Sequence, residues 1–107
     1  MPDAFGNVVM LFERMSHTVF PETDYIVKSA ADANFSGTGV VLKAGESSYR
    51  PERCGTIIPV CRWGDYEAAS LDDQGHVWFA GEYANQYQGI VAPAWGRNWG
   101  TWIGAIG

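Results

Sequence analysis

Asp3-Ala4-Phe5-Gly6-Asn7-Val8 and Asp72-Asp73-Gln74-Gly75-His76-Val77 are one text written twice, 69 positions apart. Both read D-x-x-G-[N/H]-V, both open a run of apolar residues, and seven positions past each glycine stands a glutamate, Glu13 and Glu82. Asp followed three residues later by Gly is turn chemistry: the carboxylate bonds the local backbone and Gly takes positive φ. A repeated unit of turn, strand, loop and strand of this size predicts a radial β-array such as a propeller.

The strands follow outward from the two turns. Asn7 to Phe12 is a continuous apolar run bounded by a turn, the pattern of a strand buried on both faces. Asp24 to Ser29 and Thr38 to Lys43 follow, the first after a loop with Pro21 and the second after the turn-rich Asp32 to Gly37. The segment Ala44 to Cys61, punctuated by Pro51, Gly55 and Pro59, is irregular. The second unit begins at Arg62, holds a strand to Leu71, and continues with His76 to Tyr83, a loop from Ala84 to Asn98, and a strand over Gly100 to Ile106. No stretch has a helical period. The expectation is an all-β chain of two consecutive antiparallel β-propeller blades in an incomplete ring. Residues 1–43 make a first blade lacking its inner strand, 44–61 a connecting loop, and 62–107 a second blade lacking its outer strand. Such a piece is expected to need the remaining blades of a parent chain, or further copies of itself, to close the ring.

Composition narrows the function. With 47% apolar and 14% aromatic residues but only 18% charged, the 107-residue chain is that of a single folded domain and not a disordered one. Its net charge of −5 disfavours nucleic acid or an anionic membrane surface as partner. No apolar run reaches the roughly 20 residues of a membrane span, and the N-terminus carries no signal peptide. His17 and His76 stand apart, and Cys54 and Cys61 lack a C-x-x-C or His companion, so no metal and no cofactor are expected. For the cysteines two readings stand: a disulfide closing a short Pro-bearing loop, with the extracellular setting that implies, or two free thiols in a reducing compartment. The disulfide is the reading adopted.

The second unit also carries a resemblance. Arg62-Trp63-Gly64-Asp65-Tyr66, then the D-x-x-G turn, Val77-Trp78-Phe79-Ala80-Gly81-Glu82-Tyr83-Ala84, and Asn98-Trp99-Gly100-Thr101-Trp102-Ile103-Gly104 resemble the terminal repeats of secreted, sialidase-like (BNR-type) β-propellers. The resemblance implies an extracellular, glycan-associated module that binds or hydrolyses sugar, or else a non-catalytic structural or protein-interaction repeat; it does not decide whether the chain is an enzyme. Ser70, Asp72, Gly75 and Trp78 approximate the S-x-D-x-G-x-x-W box of that class with one residue too many, between first and second strands, so they are read as an ordinary turn.

Propeller topology brings the start of a first strand and the end of a second to one face. Asp65, Tyr66 and Glu82 are the candidate catalytic residues there, as acid, nucleophile and base. Arg62, Trp63, Tyr83, Tyr87 and Trp95 are the candidate sugar contacts, aromatic faces for apolar ring surfaces and a guanidinium for directed hydrogen bonds. Competing with this, Arg62 and Asp65 form a structural ion pair, the tryptophans pack between blades, and Glu82, mirrored by Glu13, is architectural.

Overall fold

The computed structural model describes residues 1–49, 63–64, 67–86 and 98–107. Cys54, Cys61, Arg62, Asp65, Tyr66, Tyr87 and Trp95 therefore lie outside the described residues. Among those described the chain is all-β: β1 Val8–Arg14, β2 Glu22–Lys28, β3 Val40–Lys43, β4 Ala68–Leu71, β5 Val77–Ala84 and β6 Trp99–Ile106. They form two three-stranded antiparallel sheets, β1-β2-β3 and β4-β5-β6, which are not closed into a barrel or ring. No helix among the described residues is long and apolar enough to cross a membrane.

The twin turns are built alike atom for atom. Asp3 Oδ1 accepts from the N–H groups of Phe5 and Asn7 at 2.8 and 2.9 Å. Asp72 Oδ1 accepts from Gln74 and His76 at 2.9 and 2.8 Å. Gly6 and Gly75 take φ of 84° and 90°, where a side chain would be strained. In each turn the second carboxylate oxygen reaches residue i+4: Asn7 Nδ2 donates to Asp3, and His76 Nδ1 lies 3.0 Å from Asp72. Asp72 also accepts from the indole N–H of Trp78 at 2.9 Å. These donors, led by the Trp78 indole, hold the Asp72 carboxyl well below the usual range. The equivalence extends upstream: Met1 and Pro2 pair with Val9 and Val8, as Ser70 and Leu71 pair with Trp78 and Val77.

One face of each sheet packs on the other. Val9, Val77 and Phe79 form the buried centre, with Leu11, Tyr25, Leu42 and Ile106 around it. Tyr25 and Phe79 lie 5.5 Å apart between ring centroids. Each large apolar side chain buried here contributes about 1.5–3 kcal/mol. Two local devices let the sheets approach. The β2–β3 register slips between Thr23 and Asp24, which leaves Leu42 unpaired in a bulge, directed at Gly104 of β6. Gly81 of β5 lies against Thr23, and a Cβ there would stand 2.9 Å from Thr23 Cβ.

Strand ends differ from the sequence reading for physical reasons. β1 and β2 extend to Arg14 and Glu22 because these two residues pair in register and bridge at 2.7 Å. β3 starts at Val40 and not Thr38 because Gly39 takes a φ of 85°, outside any strand conformation.

Candidate ligand cleft

At the end of the sheets where β1 and β5 finish and β2 begins, three separate stretches of chain meet. The β1–β2 connection, residues 15–21, is held as a tight tip by Ser16 N–H to the Val19 carbonyl at 3.0 Å and by Thr18 N–H to Ser16 Oγ at 3.1 Å. At its base Arg14 bridges Glu22 and, at 3.2 Å, the fully buried Asp24. Burial and the Glu22 charge push the Asp24 carboxyl up, and Arg14 opposes them.

The second stretch, residues 44–49, crosses the end of β5. Glu46 N–H donates to the Ala84 carbonyl at 2.7 Å, and Ala84 N–H donates to the Pro21 carbonyl at 2.9 Å. The fully buried Asn98 amide donates to Ser47 Oγ at 3.0 Å and to the carbonyls of Ser48 at 2.6 Å and Asn85 at 3.2 Å. One asparagine thus ties the start of β6 to the 44–49 crossing and to the end of β5. The crossing passes close enough to the first loop that a Cβ on Gly45 would stand 2.7 Å from Phe20 Cβ.

Trp63 is the third element. Its ring meets Tyr49 edge to face, centroids 4.6 Å apart at 62°. His17, Phe20, Pro21, Ser48, Tyr49 and Trp63 line an open cleft of about 560 Å³, within the size range of small-molecule sites. The Trp63 indole Nε1 is buried and has no hydrogen-bond partner among the described residues, an unmet donor that costs stability.

Beside Trp63 a carboxyl lies in reach of both sheets. Glu13 Oε1 accepts from the Glu82 N–H at 3.2 Å, whereas Oε2 is buried and abuts Gly64. Burial first, then the charge of Glu67, push the Glu13 carboxyl up to about 7.

Three of the eight candidate ligand and catalytic residues fall among the described ones, and the structure divides them. Trp63 lines the cleft. Glu82 is linked to it through Glu13, which touches Gly64 with one oxygen and the Glu82 backbone with the other. Tyr83 lies on the inter-sheet side of β5, where its ring and that of Trp102 receive Lys43 Nζ at 4.9 and 5.0 Å from their centroids. Tyr83 and Trp102 meet at 89°, with 6.2 Å between centroids. His17, Phe20 and Tyr49 were not among the sequence candidates. The signal for them is aromatic and imidazole residues in Ser- and Pro-bearing connections, where ligand contacts concentrate.

No protein-family model, no curated protein and no solved structure matches this chain.

Proposed function

We propose that this chain is a pair of β-propeller blades of the sialidase-like type, and that its loop end binds carbohydrate in the cleft between Tyr49 and Trp63. The observation that carries the reading is the open concavity lined by the edge-to-face rings of Tyr49 and Trp63 together with His17 and Ser48. Aromatic faces suit the C–H surfaces of a pyranose ring, and an imidazole and the hydroxyls of Ser16 and Ser48 suit its hydroxyl groups. The twin Asp turns and the stacked, equivalent sheets support the blade assignment. An extracellular setting and a bridge between Cys54 and Cys61 belong to the same proposal.

The reading is one of binding. Glu13, the carboxyl abutting the residue next to Trp63, spends one oxygen on the Glu82 backbone. A glycan array probed with the wild-type chain and with Trp63→Ala tests this. Binding to a defined set of sugars that is lost in Trp63→Ala, with unchanged circular dichroism, is the expected result. An array without signal, or one equally bright with the variant, would refute it.

The alternative, a non-catalytic interaction repeat, draws on a different surface: Trp78, Trp99 and Ile103 are exposed on the far face of the second sheet.

A further inference from the structure

We infer that the chain associates with itself head to tail, the outer face of β4-β5-β6 in one copy receiving the outer face of β1-β2-β3 in the next. The basis is the internal repeat. Val9, Leu11 and Glu13 of β1 face the second sheet; 69 positions on they become Trp78, Ala80 and Glu82 of β5, which point away from the first sheet. The pairing partners agree. Leu11 pairs with Tyr25 as Ala80 pairs with Ile103, and Tyr25 is the residue that packs on Phe79. The second sheet thus displays outward the counterpart of the surface with which the first sheet makes the core.

The complementary surface is displayed at the edge strands β1 and β3, where Met10 and Val41 are each 44% exposed, beside the buried Ile26 of β2. Val77 and Phe79, the second sheet's core residues, correspond to Val8 and Met10, which lie on the outer face of the first sheet. Met10 is 44% exposed, Trp78 48% and Ile103 65%, large apolar surface for a chain of this size. Trp78 is fixed in place by its bond to Asp72. Beside it Ala68, Ser70, Ala80 and Ile103 line an apolar hollow of about 180 Å³. Met10 of the next copy enters this hollow as Phe79 meets Tyr25 within the chain.

The contact is heterologous, so one copy's two faces are both satisfied only in a ring or a filament. It is also looser than the internal seam. Phe12 occupies the position corresponding to Gly81, so the copies stand further apart at that end, where Arg14 bridges the buried Glu22 and Asp24. The net charge of −5 per chain opposes association, and added salt strengthens it.

Sedimentation velocity and light scattering from about 1 μM to about 1 mM, the span of weak to moderate association, test the inference together with Ile103→Glu and Met10→Glu. Both substitutions lie on exposed positions, one on each face, and circular dichroism checks that the sheets are retained. The expected result is a wild-type mass that rises with concentration and salt, each variant alone remaining monomeric. An equimolar mixture of the two forms a one-to-one dimer and nothing larger, because each supplies the face the other lacks. A wild-type chain monomeric throughout, a single variant that still associates, or a mixture that stays monomeric would overturn the inference. Should either glutamate unfold its chain, Met10→Gln and Ala105→Gln replace the pair with the same expectations. None of these positions lines the cleft, so sugar binding and association fail independently.

Discussion

Replacing Gly81 with alanine asks whether the two sheets meet as described. Gly81 is not at positive φ, so alanine is conformationally acceptable there. In a strand with open space above it, the substitution would stabilise the fold by about 0.4–1 kcal/mol through loss of unfolded-state entropy. The structure reverses that sign. The new methyl would stand 2.9 Å from Thr23 Cβ and closer still to Thr23 Oγ1. Thr23 cannot swing aside: it is fully buried, β-branched and paired on both sides, with Glu13 in β1 and Lys43 in β3. Overpacking of this kind costs about 1–3 kcal/mol, which at about 4–8 °C per kcal/mol for a domain of this size is a fall of roughly 10 °C in Tm. Thr23→Ala removes the obstructing hydroxyl, which has no hydrogen-bond partner among the described residues, and vacates room for the methyl. In the double variant most of the Gly81→Ala penalty is recovered, a coupling of about 1–2 kcal/mol. Urea denaturation of the four proteins, with a common m-value, gives this directly. A stabilised Gly81→Ala chain, or two effects that add without coupling, would refute the inter-sheet contact.

Other consequences follow from the same geometry. Glu13, held at about 7 in the folded chain against 4.5 in an unfolded one, is protonated in both states below about pH 4.5 and contributes nothing there. Its penalty grows from that pH and is complete above about pH 7. At face value the shift is worth about 3 kcal/mol, but Glu13 is only partly buried and screening leaves about 1 kcal/mol. Wild-type stability is therefore expected to fall between pH 5 and pH 8 relative to Glu13→Gln, and parallel pH curves would contradict this. The Asp72 carboxyl, lowered by its donors, contributes its full stabilisation above its unfolded pKa of about 3.8 and loses it progressively as pH falls from there through the lower folded value. Asp72→Ala should accordingly lower Tm most at pH 6 and by a shrinking amount as pH is taken ever further below 3.8, as read by differential scanning calorimetry. Phe79→Ala empties the centre of the core and is expected to cost about 3–5 kcal/mol, enough to leave much of the population unfolded at 37 °C. A cooperative transition near the wild-type midpoint would place the core elsewhere.

The fold was legible in the sequence because its signals are local. An aspartate with a glycine three residues on and an apolar run behind it fixes turn, strand start and register. All six strands were anticipated from such cues. What escaped was set by pairs distant in the chain: Arg14 with Glu22 lengthens two strands, and the bulge at Leu42 exists to fill space over Gly104. The cleft was less legible still. Trp63 stood out in its motif, but Phe20, Tyr49 and His17 acquire meaning only when Asn98, 50 residues from Ser48, pulls the 44–49 crossing over the end of β5. Tyr83 illustrates the converse. Its position at a strand end marked it for a ligand, and the described structure gives its ring to Lys43.

The central claim is that Trp63 lines a sugar site, and the indole region of a ¹⁵N–¹H correlation spectrum reads that side chain directly. Five tryptophans give five such resonances, assignable by single Trp→Phe substitution. Titration with the sugars selected on the array should shift the Trp63 resonance saturably and leave that of Trp78, already bonded to Asp72, in place. A Trp63 resonance that stays fixed while the others move, or a spectrum unchanged by any sugar, would contradict the claim.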